Sequence, residues 1–321
     1  MTILGIEQIK YGVTDLATCR SFFKDWGLTE VAHDEREVRF ESLNGCTVIA
    51  VEASDASLPP AFEEGSTLRE VTWGVASRVE LDALRGRFAG QPGHFESDDA
   101  VGCIDPTGMA IRVEVTRKRE IDIKGSTSNT WGQATRVDSP GVIYDHAEPI
   151  EVGHVVLFTN RLAEQEKFYH ELLGFEVSDR YPGRGTFMRC AAHGGHHDLF
   201  MLQLPNGKPG LNHVAFTVRD IHEVFGGGLH VSRCGWSTKL GPGRHPISSA
   251  YFWYFDNPAG GLIEYYSDED ILTSKWQPRE FEPSPTMFAE WAIDGGLDGH
   301  TRRQKNAKAP DGRFMTEKAP D

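Results

Sequence analysis

Positive charge is in short supply in this chain. Its 321 residues hold 33 Lys and Arg against 47 Asp and Glu, a formal net charge of -14. A nucleic-acid partner requires a basic face that displaces the counterions of the phosphate backbone, so none is expected. Cysteine is scarce as well: Cys19, Cys46, Cys103, Cys190 and Cys234 are scattered, odd in number and form no Cys-x-x-Cys. This argues against a disulfide framework or a zinc knuckle and leads us to expect reduced thiols in a cytoplasmic protein. No apolar run approaches the roughly 20 residues of a membrane span. Residues 1–7 lack the basic end and apolar core of a signal peptide. Histidine is nearly missing from the first part: of 13, only His33 and His94 precede residue 146. The chemistry is therefore expected in the second part.

What the chain does have is a repeat of about half its length. Residues 6–16 read as a strand, followed by a helical pattern with Cys19, Phe22, Phe23 and Trp26 on one face and a turn at Gly27. Residues 151–160 open a second copy, whose helix carries Leu162, Phe168, Tyr169, Leu172 and Leu173 and ends at Gly174. Alternating apolar strands follow each helix, near 38–43 and 47–52, then near 186–192 and 198–204. A second half-unit begins at residues 68–73 and again at 211–216, with helices from Val79 and Asp220. Each copy closes on a turn and strand, at residues 105–112 and 257–264. Hairpin-length spacings after each helix favour an α+β fold of tandem βαβββ modules, two barrel-like domains of mixed sheet. The expected division is a first domain over 1–118, a polar linker over 119–149, a second domain over 150–271 and a tail over 272–321. Part of that tail, with Trp276, Phe281, Phe288 and Trp291, should pack, and the segment from Arg302 should be disordered or an oligomer arm.

Overlaying the copies sets His154, His213 and Glu264 against Ile9, Glu70 and Arg112. Each lies in a predicted strand, where side chains alternate between faces. A Glu buried in a strand is costly unless something positive pairs with it. Two neutral imidazoles and one carboxylate on one flank of a cation form the facial triad, which leaves open positions and suits non-haem Fe(II) and oxygen chemistry. Taken singly, each residue has a plainer reading: a hydrogen-bonded strand histidine, or a Glu paired with Arg or Lys. In the first copy Ile9 cannot hold a metal, and Glu70 with Arg112 is expected to form an ion pair. That domain is read as a metal-free partner.

The run Gly243-Arg244-His245, then Trp253-Tyr254, Asn257-Pro258-Ala259-Gly260 and Glu264, is similar to the signature Gly-x-His … Tyr-x-x-(Asp/Asn)-Pro-x-Gly … Glu. On these residues the chain resembles the vicinal oxygen chelate superfamily and, within it, the two-domain type I extradiol catechol dioxygenases. Trp253 departs from the aliphatic residue or Phe usual before the Tyr. The resemblance implies the glyoxalase/bleomycin resistance/dihydroxybiphenyl dioxygenase fold and an Fe(II) centre, with Mn(II) possible. Its substrates would be a small aromatic diol and O2, the ring opening beside the diol to a muconic semialdehyde-type product. It further implies His197 as acid/base, with His196 as the rival, and His245 and Tyr254 as hydrogen-bond partners of the substrate. His193 and His196 otherwise read as solvent-exposed. Phe187, Phe200, Phe252 and Trp253 are candidates for walling the ring. A homo-oligomer is expected.

Other readings stay open. A 4-hydroxyphenylpyruvate-type oxygenase also uses two His and one Glu. A glyoxalase-like isomerase needs a further ligand that is not evident. A non-catalytic binding or resistance protein of this fold would lack the triad.

Overall fold

The computed structural model describes residues 3–204 and 207–294. The segment from Arg302 lies outside the described residues. The first copy runs β1 (Ile3–Val13), α1 (Leu16–Asp25), β2 (Thr29–His33), β3 (Glu37–Glu41), β4 (Thr47–Glu52), β5 (Thr67–Val75), α2 (Arg78–Phe88), β6 (Phe95–Glu96), β7 (Ala100–Ile104) and β8 (Ala110–Val115). The second runs β9 (Glu151–Thr159), α3 (Leu162–Leu173), β10 (Glu176–Tyr181), β11 (Gly185–Arg189), β12 (Leu199–Gln203), β13 (Gly210–Thr217), α4 (Ile221–Arg233), β14 (Thr238–Arg244), β15 (Tyr251–Asp256) and β16 (Leu262–Ser267). β17 (Arg279–Glu280), α5 (Pro285–Phe288) and β18 (Trp291–Asp294) follow. Among the described residues no helix is long and apolar enough to cross a membrane.

The strand orders show the duplication directly. One sheet reads β2-β3-β4-β1-β5-β8-β7-β6, the other β17-β10-β11-β12-β9-β13-β16-β15-β14-β18. Removing β17 and β18 leaves the same order in both copies. The packing tail is thus real: it adds a strand to each edge of the second sheet, where unpaired backbone would otherwise be exposed.

The turn before β16 sets the register of that strand. Asn257 accepts a hydrogen bond from the Ala259 amide at 2.9 Å, an Asx turn. Gly260 and Gly261 then take φ of 110° and 62°, where a side chain is strained. A Cβ on Gly260 would also lie 2.2 Å from the Ser66 carbonyl oxygen, in the first copy.

The copies also meet through aromatic packing. Trp26, just after α1, stacks on Tyr265 of β16 with ring centroids 3.6 Å apart. The Tyr265 hydroxyl donates to the Trp26 carbonyl at 2.6 Å. Phe216 and Phe255 approach the same indole edge-on. Trp26→Ala is expected to cost about 3–5 kcal/mol, the usual loss for a buried Trp. Chemical denaturation read by circular dichroism checks this, and a midpoint like that of the wild type would contradict it.

The repeat overlay needs one correction. Ala215 of β13 pairs with His154 and with Glu264, while its counterpart Thr72 of β5 pairs with Gln8 and with Arg112. The equivalent of His154 is therefore Gln8, not Ile9. β1 and β5 are out of step at several places along their pairing, and a slip of one residue moves a side chain to the opposite face. Ile9 lies wholly in the core. The expected Glu70–Arg112 ion pair is also absent. Glu70 is 3.5 Å from Lys10 Nζ, and Arg112 pairs with Glu114, two residues along on the same face. Gln8, Glu70 and Arg112 do share one polar cavity of about 460 Å³.

Candidate functional site

His154, His213 and Glu264 converge. Their strands β9, β13 and β16 are neighbours, and the registers Ala215↔His154, His213↔Val156 and Ala215↔Glu264 put all three side chains on one face. Glu264 Oε2 is 3.2 Å from His154 Nε2 and 3.1 Å from His213 Nε2. The two imidazole nitrogens are 3.3 Å apart. Among the described residues, three groups of His, Cys, Asp and Glu bring ligand atoms within 4.8 Å of one another, and only this one is wholly buried.

His245, just past β14, and Tyr254, on β15, reach the same spot. Two inter-strand spacings of about 4.8 Å separate β16 from β14, roughly 10 Å. The side chains bridge that gap, with His245 Nε2 3.6 Å from Glu264 Oε1. His197, in the loop before β12, closes the other side, its ring centroid 4.1 Å from that of His154.

The protonation states suit a cation. Burial and the neighbouring His197 ring push the His154 imidazole well below its ordinary value, and burial lowers His213. Burial alone would raise the Glu264 carboxyl, but His154, His213 and His245 outweigh it and hold the group well below the carboxylate range. Neutral imidazoles and an ionised carboxylate are the forms that bind metal. Asn212 Oδ1 lies 2.6 Å from His213 Nδ1. Accepting the proton there turns the Nε2 lone pair inward. Both Glu264 oxygens are buried without a hydrogen-bond partner. A native interior rarely leaves such atoms unsatisfied, and a divalent ion held by the three side chains would satisfy them. The residues present therefore fit a metal.

The surrounding groups are set as donors and acceptors. His245 Nδ1 is 2.6 Å from the Phe288 carbonyl oxygen of α5. The proton must sit on that nitrogen, so Nε2 accepts from the Tyr254 hydroxyl at 2.9 Å. Burial, then the Glu264 carboxylate, raises the Tyr254 phenol well above its ordinary value, so it remains a donor. Val156, Tyr181, Phe187, Phe200 and Ile247 form an apolar cluster beside His197, with Phe187 stacked on Phe200 at 3.8 Å. Phe252 stacks on His245 at 4.1 Å.

Two expectations fail here. Trp253 is not at the site. It alternates with Tyr254 on β15, so it faces α4 instead, where its ring leaves no room for a Cβ on Gly228. His196 is not solvent-exposed but completely buried behind His197, 2.7 Å from Asp179 Oδ2. His193 is exposed, as read from its glycine-rich surroundings. The sequence reading missed Asp179, Glu269 and Arg279. Glu269 Oε1 lies 3.2 Å from His197 Nδ1. An aspartate in the middle of a short strand, as at Asp179, was the one available signal, since such a charge must find a partner.

Residues 151–265 match the glyoxalase/bleomycin resistance protein/dioxygenase superfamily. The chain is similar to "Metapyrocatechase 2" of Cupriavidus necator, 25% identical over 311 residues, 90% of this chain and 89% of that protein. Among solved structures it is similar to the Mn(II)-bound glyoxalase of Novosphingobium aromaticivorans, with a TM-score of 0.71, 25% identity and 98% of each chain covered. It also shares the fold of the 2,3-dioxygenase LapB of Pseudomonas sp. KL28, with a TM-score of 0.68, 18% identity, and 88% of this chain and 98% of that one covered.

Proposed function

Because residues 151–265 belong to the glyoxalase/bleomycin resistance protein/dioxygenase superfamily, we propose that the chain is an extradiol dioxygenase that opens a catechol-type ring with O2. The reading rests on one observation: a buried His-His-Glu triangle faced by His197, His245 and Tyr254. On this reading residues 150–271 carry the reaction and residues 1–118 are a metal-free partner.

His154, His213 and Glu264 would hold Fe(II), or Mn(II). The ion supplies charge that makes a diol hydroxyl acidic and a site at which both substrates meet. His197 takes the hydroxyl proton and later returns it, the task for which imidazole is suited near neutral pH. When substrate binds, the Tyr254 phenol, which stays protonated, would turn its one proton from His245 Nε2 to the substrate oxygen. His245, its tautomer fixed by the Phe288 carbonyl, orients that hydroxyl. Phe187, Phe200 and Val156 exclude water from the ring. Cleavage beside the diol would give a muconic semialdehyde-type product.

The likeness to a Mn(II)-bound glyoxalase favours a second reading, isomerisation of a hemithioacetal. That chemistry needs no histidine opposite the metal flank and no O2. One experiment separates the two. Anaerobic protein reconstituted with Fe(II) or Mn(II) is mixed with aerated catechols, and separately with a hemithioacetal. Oxygen uptake with a yellow product is expected. No uptake across a panel of substituted catechols, with turnover of the hemithioacetal, reverses the assignment.

A further inference from the structure

Behind His197 lies a chain of polar side chains that none of the steps above uses. Asp179 and His196 are both completely buried. Arg279, on the tail strand β17, donates to Asp179 from its backbone amide at 2.7 Å and from Nη2 at 2.6 Å, and from Nε at 3.2 Å to each oxygen. The same Nη2 reaches the Ile247 carbonyl at 2.7 Å. His196 Nε2 lies 2.7 Å from Asp179 Oδ2, and its Nδ1 lies 3.3 Å from His197 Nδ1. A buried network of this kind is costly unless every member is satisfied, and here the donors and acceptors resolve in only one way.

Asp179 is met by a guanidinium, so it is ionised and can only accept. Burial works against that charge, but His196 and Arg279 more than offset it and keep the carboxyl below its ordinary value. His196 must then carry a proton on Nε2. Burial lowers this imidazole, which keeps it neutral and leaves a lone pair on Nδ1. His197 Nδ1 therefore faces two acceptors, His196 Nδ1 at 3.3 Å and Glu269 Oε1 at 3.2 Å.

We propose that Arg279, Asp179 and His196 form a positioning relay that holds the His197 proton on Nδ1 and leaves Nε2 free as the base. The inference rests on the dioxygenase reading for the use of that base, though not for the tautomer itself. It also gives the tail a function, since the relay begins at residue 279, outside the expected catalytic span.

Two substitutions at one position separate positioning from simple packing. His196→Gln keeps a donor for Asp179 and loses the acceptor for His197. His196→Asn places a carbonyl oxygen near the old Nδ1 and loses the bond to Asp179. We expect His196→Gln to lower kcat on the order of 10- to 100-fold, the scale of losing a partner that orients an active imidazole, with KM and metal content unchanged. His196→Asn is expected to recover most of that rate. A structural role for the Asp179 bond alone predicts the opposite order, and that result would overturn the relay. Nitrogen-15 spectra of the imidazoles in zinc-loaded protein should place the His197 proton on Nδ1. A proton found on Nε2 would overturn the proposal too. If no catechol is turned over by the wild type, the dioxygenase reading falls, while the spectra still decide the tautomer.

Discussion

Substituting His213 or Glu264 with alanine is expected to remove the metal and reduce turnover to background. The three ligand atoms stand 3.1–3.3 Å apart, and two of them do not make a closed flank. Glu264 carries the larger consequence. It is the acid of the set, and without it the cation would face only neutral imidazoles in a buried site. The Glu264 variant should also fold well without metal, because it no longer buries a carboxylate whose oxygens lack partners. His213→Ala should lose metal and stability together, since it strips that carboxylate of one imidazole. Elemental analysis and thermal denaturation read the two outcomes. Full metal retention in two of the three ligand variants would mean that the ligands lie elsewhere.

The second large effect belongs to His197. His197→Ala is expected to keep its metal and lose turnover on the order of 10²-fold or more, the scale of general acid–base catalysis. The ring lies tilted beside that of His154 and does not share the Glu264 oxygen that His154 approaches, so removing it should leave the triad assembled. Metal content and steady-state oxygen uptake on the same preparation test this. An unchanged rate would remove His197 from the reaction. A loss of metal would make it a ligand-holding residue instead.

The triad was legible because strand periodicity is local. His154, His213 and Glu264 each sit in an apolar strand at a fixed place in a duplicated unit, and alternation alone puts them on inward faces. The same rule, applied to β15, would have turned Trp253 away once Tyr254 faced in. Gln8 was missed because counting residues fails where β1 and β5 lose step, which leaves no mark in composition. The relay was not readable for another reason. His196 finds Asp179 across 17 positions, and Asp179 finds Arg279 across 100. Only the folded sheet brings such distant positions together, and the glycines before His196 read locally as an exposed loop. The edge strands of the tail were foreseen only as packing, since segments of two and four residues carry too little pattern to be read as strands.

Neighbouring residues on β16 point opposite ways, so Glu264 and Tyr265 share a strand but serve different surroundings. The carboxylate looks into the site. The phenol lies flat against Trp26 of the other copy. Cutting away that duplicate would uncover Tyr265, Phe216 and Phe255 on the rear of the wall that bears Glu264, an aromatic surface seeking new cover. The first copy is thereby the ballast against which the strand that bears Glu264 keeps its shape.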